Sequence, residues 1–158
     1  MLEIVGDLWQ QNGWLVVPVN LSGVFAGGIA RQARDRYPDV ERSYRSVLWR
    51  DLAPKVVLDR RNHLILVPIK AHWRDEASLD MIKSMVQQLA RLEIPRARIY
   101  LPLLGCGYGN LYAADVLPVL RESLDDRFIL VRPERNGLRR EYRGDDNNMI
   151  PFVKNGAT

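Results

Sequence analysis

Ile99-Tyr-Leu-Pro-Leu-Leu-Gly-Cys-Gly-Tyr-Gly-Asn-Leu111 is the stretch that decides the fold. An apolar run of strand character, Ile99–Leu104, empties into glycines at alternate positions, Gly105, Gly107 and Gly109. Glycine there permits backbone with φ > 0 and lets a ligand press against the main chain. Bare N–H groups in such a loop form a concavity suited to phosphate oxygens. Downstream, Val116, Val119, Leu120 and Leu124 keep a helical period. Strand, glycine loop and helix in succession are how α/β proteins build phosphate sites. The spacing matches neither a P-loop nor a GxGxxG fingerprint, so a tight turn without a ligand is an equal reading of this segment by itself.

A second unit repeats the pattern. Trp14-Leu-Val-Val-Pro-Val-Asn20 reads as a buried strand, Leu21-Ser-Gly-Val-Phe-Ala-Gly-Gly28 as a loop, and Ile29–Arg36 as the opening of a helix. Two such units imply a ligand with more than one phosphate, gripped from both sides. Asn20, at the mouth of the first loop, offers a carbonyl acceptor and an amide donor suited to sugar hydroxyls.

Working outward, Leu2–Val5 is expected to be a first strand, Ala30–Tyr37 a helix ended by Pro38, and 39–54 irregular or a short helix. Lys55–Asp59 and Leu64–Pro68 read as strands around the polar turn Arg60–His63. Ser78 is an N-cap for a helix with Leu79, Ile82, Val86 and Leu89 on one face. Arg98–Leu103 and Phe128–Arg132 complete the strands, and Ala114–Leu124 the helices, with Pro118 early enough in that helix to cost little. Strands alternating with helices argue for an α/β sheet covered on both faces, with ligands beyond the carboxyl ends of its strands. Residues 144–158 read as a tail, docked through Met149-Ile-Pro-Phe152.

At 158 residues, 47% hydrophobic and 27% charged, the chain suits one globular domain with a real core. Apolar runs such as Leu64–Ile69 and Tyr100–Leu104 are too short to span a bilayer, and the first residues lack a signal-peptide layout. A lone cysteine, Cys106, excludes an internal disulfide and suits a reducing compartment, so the cytoplasm is the expected location and no membrane partner is expected. The net charge of +4 is compatible with an anionic partner. Arg132, Arg135, Arg139, Arg140 and Arg143 face only Glu134 and Glu141, which reads as a solvated basic surface or as a nucleic-acid backbone contact. No His, Cys and Asp cluster has metal-ligand spacing, and no metal or other cofactor is expected.

Together these pieces resemble a macrodomain, the ADP-ribose-binding three-layer α/β/α fold with a mixed central sheet, over nearly all of residues 1–132 and with the domain expected to run to 143. Gly6-Asp7-Leu8, Val19-Asn20, Gly23–Ala30 and Gly105-Cys-Gly-Tyr-Gly109 with Leu111 come in the family's order. Gln32–Pro38 and Val67-Pro-Ile-Lys-Ala-His-Trp-Arg74 resemble one branch. That branch holds the terminal ADP-ribose glycohydrolase, which acts on carboxylate side chains, and the antitoxin macrodomains, which strip ADP-ribose from thymidine in DNA. His72-Trp-Arg74 and Gly109-Asn-Leu111 look closer to the antitoxins. The glycohydrolase has a catalytic aspartate where this chain has Gly109, and the antitoxin type relies on a single lysine, here Lys70. Phe25-Ala-Gly-Gly28, Val17-Pro18 and Ile69 depart from the branch pattern.

The resemblance implies a set of roles. Asp7 would accept from the adenine exocyclic amine, Leu8 beside it would line the ADP-ribose site, and Asn20 would hold the distal ribose. Gly27, Gly28, Ile29 and Ala30, with Leu104, Gly105, Cys106, Gly107, Tyr108 and Gly109, would wrap the phosphates and the ribose. Cys106 reads as a small residue packed under its loop rather than a nucleophile. Lys70, at the end of an apolar strand, is expected to have a pKa lowered by burial and to attack the distal ribose C1″. A milder role keeps it charged, steadying the departing base. His72, Trp73 and Arg74 read as a grip on single-stranded DNA, or as satellite core and a surface ion pair. The expected function is an ADP-ribosyl glycohydrolase acting on DNA, with a toxin partner left open. The alternatives are a non-catalytic module that sequesters ADP-ribose and an ADP-ribose 1″-phosphate phosphatase.

Overall fold

A computed structural model describes residues 1–51 and 53–133, together with the backbone of the short strands Leu138–Arg139 and Phe152–Val153. Glu134, Arg135, Arg140, Glu141 and Arg143 of the basic segment, the proposed 143/144 boundary, and most of the tail lie outside the described residues. The elements run β1 (Leu2–Val5), β2 (Trp14–Asn20), α1 (Gly28–Arg36), α2 (Val40–Arg50), β3 (Val57–Asp59), β4 (Leu64–Lys70), α3 (Leu79–Ala90), β5 (Ile99–Leu101), α4 (Ala113–Ser123) and β6 (Phe128–Arg132), followed by the small pair β7 and β8. The main sheet has the order β1-β6-β5-β2-β4-β3 and is parallel except for β3, which runs antiparallel to β4. This is the expected mixed sheet.

Alternation along each strand builds two cores. Val16, Ile65, Val67, Phe128 and Leu130 face a layer formed by Ile82, Met85, Val86 and Leu89 of α3 and Val116 and Leu120 of α4. Their neighbours Leu15, Val17, Leu64, Leu66, Ile129 and Val131 face Ala30 and Ala33 of α1 and Val40 and Tyr44 of α2. Side chains on a strand alternate between faces, so one run of consecutive apolar residues supplies both layers. Ser78 caps α3 as expected, its Oγ accepting from the Met81 amide at 3.1 Å.

One open reading is decided and two local expectations change. Of the irregular and helical readings of 39–54, the helix holds, as a regular helix of 11 residues over 40–50, because Val40, Tyr44 and Leu48 share one face and pack on the sheet. Pro118 lies in the interior of α4, past the first turn, so the helix forgoes one backbone bond there. β5 stops at Leu101, since Pro102 has no amide to continue the ladder.

The sheet order reverses between β5 and β2. β2 pairs with β4 from Leu15 to Asn20, but with β5 only through Trp14 and Leu15. The Leu15 and Leu21 amides donate towards β4, to the His63 and Lys70 carbonyls, so Pro18 faces the β5 side, where the two strands have already parted. A proline is therefore tolerated in a central strand, and the crevice opens beyond the carboxyl ends of β2 and β5.

Candidate active site

Three loops meet at this crevice: 21–27 after β2, 71–77 after β4, and 102–112 after β5. Asn20 is buried at the start of the first. Its Oδ1 accepts from Ser22 Oγ at 2.7 Å and from the Val24 amide at 3.2 Å, while its Nδ2 donates to the Val24 carbonyl at 2.8 Å. The side chain thus ties down its own loop and retains one amide hydrogen for a ligand.

Helix α2 buttresses the same loop. Tyr44 donates its hydroxyl to the Asn20 carbonyl at 2.9 Å, Arg45 Nε donates to the Gly23 carbonyl at 2.9 Å, and Glu41 Oε2 accepts from the Phe25 amide at 2.7 Å. Glu41 is also paired with Arg45, and the buried Phe25 ring tilts against Tyr44 at 5.8 Å. Burial pushes the Tyr44 phenol up well beyond its usual range, so it stays a donor. Sequence reading missed Glu41, Tyr44 and Arg45. Their signal was the stripe at 40, 44 and 48, with an acid and a base four residues apart beside it. Tyr44→Phe leaves the Asn20 carbonyl without this donor and is expected to lower unfolding free energy by about 1–2 kcal/mol. An unchanged urea midpoint would show that the bond contributes nothing.

Helix α1 begins where the first loop ends. Gly27 is its N-cap, with no side chain bonding to the first turn and no acidic residue in that turn. Gly28 has φ +57°, a conformation that favours glycine, and the helix begins there, directly after the loop that follows β2. Unpaired first-turn amides make a ready anion site, which Gly28, Ile29 and Ala30 would supply. Leu8, which follows β1, is buried in the core shared with Ala30.

Opposite stands the loop after β5. Gly105, with φ +74°, lets the chain double back so that its carbonyl accepts from the Leu111 amide at 2.9 Å. The Tyr108 ring reaches across, since a β-carbon built on Gly28 would lie 3.2 Å from it and one on Gly27 3.6 Å. Leu104 and Cys106 are buried, and Gly107 and Tyr108 are exposed. Burial, and then the Asp115 carboxylate, push the Cys106 thiol up to about 12, so it is not a thiolate near neutral pH.

Lys70 is the last residue of β4 and the register neighbour of Asn20. It is half-buried, and its Nζ donates to the Asp75 carbonyl at 3.1 Å. Burial holds its pKa below the usual lysine range, partly offset by the Asp75 charge. Asp7, at the end of β1, is exposed and caps a short 3₁₀ turn (Leu8–Gln10), its Oδ1 accepting from the Trp9 amide at 2.9 Å. His72, Trp73 and Arg74 are all exposed, in the loop that follows Lys70. The three loops are stitched together: the Trp73 amide donates to Ser22 Oγ at 3.3 Å, the Ala77 amide to the Gly109 carbonyl at 2.8 Å, and Asn110 Nδ2 to Glu76 Oε1 at 3.4 Å. Every sequence-predicted site residue therefore lies at the carboxyl edge of the sheet. Asp7 and Leu8 stand at its β1 end. Among the described residues no group of His, Cys, Asp or Glu could hold a metal ion, and no helix is long and apolar enough to cross a membrane.

Comparison with solved structures gives the same fold. The macrodomain of Thermus aquaticus DarG superposes with a TM-score of 0.72 at 25% identity, covering 84% of this chain and 97% of that one. The macrodomain of Mycobacterium tuberculosis DarG gives 0.68 at 27% identity, covering 83% and 99%. The chain has the macrodomain fold. Thermosipho africanus DarTG, solved in complex with ADP-ribose, shares the macrodomain fold with a TM-score of 0.75 at 22% identity, covering 92% of this chain and 44% of that one. In sequence, the macrodomain is 32% identical over 138 residues to the DNA ADP-ribosyl glycohydrolase of Mycobacterium tuberculosis, covering 79% of this chain. It spans 39% of that relative's length. No family model matches the chain.

Proposed function

We propose that this macrodomain is a cytoplasmic ADP-ribosyl glycohydrolase that removes ADP-ribose from thymine in single-stranded DNA, in an antitoxin-type role opposite a DNA-modifying toxin. The observation that carries the reading is Lys70: a half-buried lysine of lowered pKa at the end of β4, beside Asn20 at the end of the neighbouring strand. Similarity to a relative named a DNA ADP-ribosyl glycohydrolase supports DNA as the substrate, and thymine as the base rests on the antitoxin resemblance. In the proposed site, Asp7 takes the adenine amine, the first amides of α1 and the 104–109 loop hold the phosphates, and Asn20 spans the distal ribose with its remaining amide hydrogen.

The chemistry follows from the amine. Neutral Lys70 attacks C1″, a C–N bond forms, and the bond from C1″ to the thymine nitrogen breaks, with the base taking the electron pair. The base recovers a proton given up by the new ammonium. The ring oxygen then leaves C1″ to give a Schiff base, water adds there, and the amine departs as ADP-ribose closes.

The test is release of ADP-ribose from an oligonucleotide modified on thymine, run beside a carboxylate-modified protein and ADP-ribose 1″-phosphate. Release is expected from the oligonucleotide. Its kcat/KM should fall as salt rises, with a log–log slope near 0.7 per phosphate contacted. Tight binding of free ADP-ribose without release from DNA would overturn the reading in favour of a sequestering module.

A further inference from the structure

Two tryptophans stand at the carboxyl edge of the sheet, each under an arginine, and they differ in a way that points to a use for one of them. Trp9 is half-buried and donates its indole N–H to Gln32 Oε1 at 2.8 Å, with the Arg36 guanidinium 4.7 Å from its centroid. Trp73 stays 37% exposed, with no acceptor for its indole N–H among the described residues. The Arg74 guanidinium lies 4.6 Å from the Trp73 centroid and makes no ion pair among the described residues. Trp9 follows β1 and Trp73 follows β4, four places along the sheet, or about 19 Å at the usual strand spacing.

The backbone beneath Trp73 is held in place. Its amide reaches Ser22 Oγ, the His72 amide donates to Asp75 Oδ2 at 3.2 Å, and the Arg74 amide donates to His72 Nδ1 at 3.2 Å. A large exposed indole on a tied turn loses little entropy on binding, and an arginine without a carboxylate is available to a phosphate. Aromatic and guanidinium planes stack on unpaired bases whatever their identity. Lys70, the last residue of β4, lies three residues upstream of Trp73, so the pair stands on the loop that leaves the proposed reacting centre.

We infer that Trp73 and Arg74 form a landing for the nucleotide adjoining the modified one, its base stacked on the Trp73–Arg74 plane and its phosphate against the guanidinium. The inference rests on the proposed DNA activity and deepens it. It makes the enzyme a reader of a strand rather than of a single modified nucleoside.

The test compares two substrates, ADP-ribosyl-thymidine as a mononucleoside and the same unit inside an oligothymidylate. The readout is the ratio of their kcat/KM values in wild type, Trp73→Ala and Trp73→Phe. Trp73→Ala is expected to lower the oligonucleotide-to-mononucleoside ratio about five- to hundredfold, the range of one base stack. Trp73→Phe should restore much of it. Arg74→Ala should reduce the salt slope by about 0.7, one phosphate on a single strand. A ratio within twofold of wild type in Trp73→Ala overturns the inference. Should wild type cleave neither substrate, the proposed activity fails by itself. Binding of unmodified oligothymidylate then decides, weaker binding by Trp73→Ala keeping the landing and equal binding removing it.

Discussion

Lys70→Ala is expected to abolish ADP-ribose release from modified DNA, by about 10³-fold or more in kcat, while binding of free ADP-ribose stays measurable. Loss of one transition-state hydrogen bond costs on the order of 10²–10³, and loss of a nucleophile costs far more. Lys70→Arg separates the two roles. It keeps a cation but cannot offer a neutral amine at any working pH, so it should be as dead as alanine if Lys70 attacks C1″, and partly active if Lys70 only steadies the departing base. The pH profile makes the same division. Burial lowers the pKa of Lys70, so the neutral amine becomes available below the usual lysine range. The nucleophilic route then gives kcat rising with pH through that lowered value. A charged lysine acting electrostatically gives kcat falling with pH through it. Isothermal titration of ADP-ribose into each variant shows whether the crevice is intact. Alanine and arginine variants that both retain wild-type release would remove Lys70 from the mechanism.

Sequence showed where the site is better than it showed what holds the site together. Trp14–Asn20 and the glycine run from 105 to 109 could be read because each combines an apolar strand with residues few other structures need, and both loops fall at the point where the sheet order reverses. Lys70 was picked out by the resemblance, and its place after a fully apolar strand gave the expectation of burial, which does lower its pKa. Helix α2 was not, since only Val40 and Tyr44 are fully buried in it and charged residues crowd the rest. With it went the Glu41, Tyr44 and Arg45 contacts to the first loop: the stripe at 40, 44 and 48 hints at the helix, but what these side chains touch depends on the course of a chain some twenty residues upstream. Asn20 shows the limit differently. Its position at the strand end was readable, but two of the three hydrogen bonds that turn its side chain into the loop exist only once Val24 has come back beside it. Trp73 could be core or surface on sequence alone, and the fold leaves it outside.

Gly109→Asp is expected to damage the fold rather than transplant the catalytic aspartate that the carboxylate-specific relatives resembled here carry at this place. A β-carbon on Gly109 would lie 2.6 Å from the Gly105 carbonyl oxygen, 2.7 Å from the Ala77 β-carbon and 2.9 Å from the Gly105 α-carbon. Two of these neighbours are backbone. The Gly109 carbonyl also accepts from the Ala77 amide at 2.8 Å, and the Gly105 carbonyl accepts from Leu111, so neither segment can withdraw without losing a bond. Glycine is needed here for close approach, which leaves no room for any side chain. Overpacking of this kind costs about 1–3 kcal/mol, which for a chain of this size is a fall in Tm of roughly 2–12 °C. The loop that would hold phosphate moves with it, so affinity for ADP-ribose should drop at least tenfold. Gly109→Ala should show most of the same loss without any carboxylate, which assigns the effect to volume and not to charge. Scanning calorimetry and ADP-ribose titration on both variants check this. An aspartate variant with unchanged Tm and new activity on carboxylate-linked ADP-ribose would show that the loop can open to admit the second catalytic group. The choice between one-residue and two-residue chemistry would then lie in a single side chain. With the contacts as they stand, the packing of Ala77 and Gly105 against Gly109 leaves no room for a carboxylate at that position, in keeping with the proposed single-lysine route.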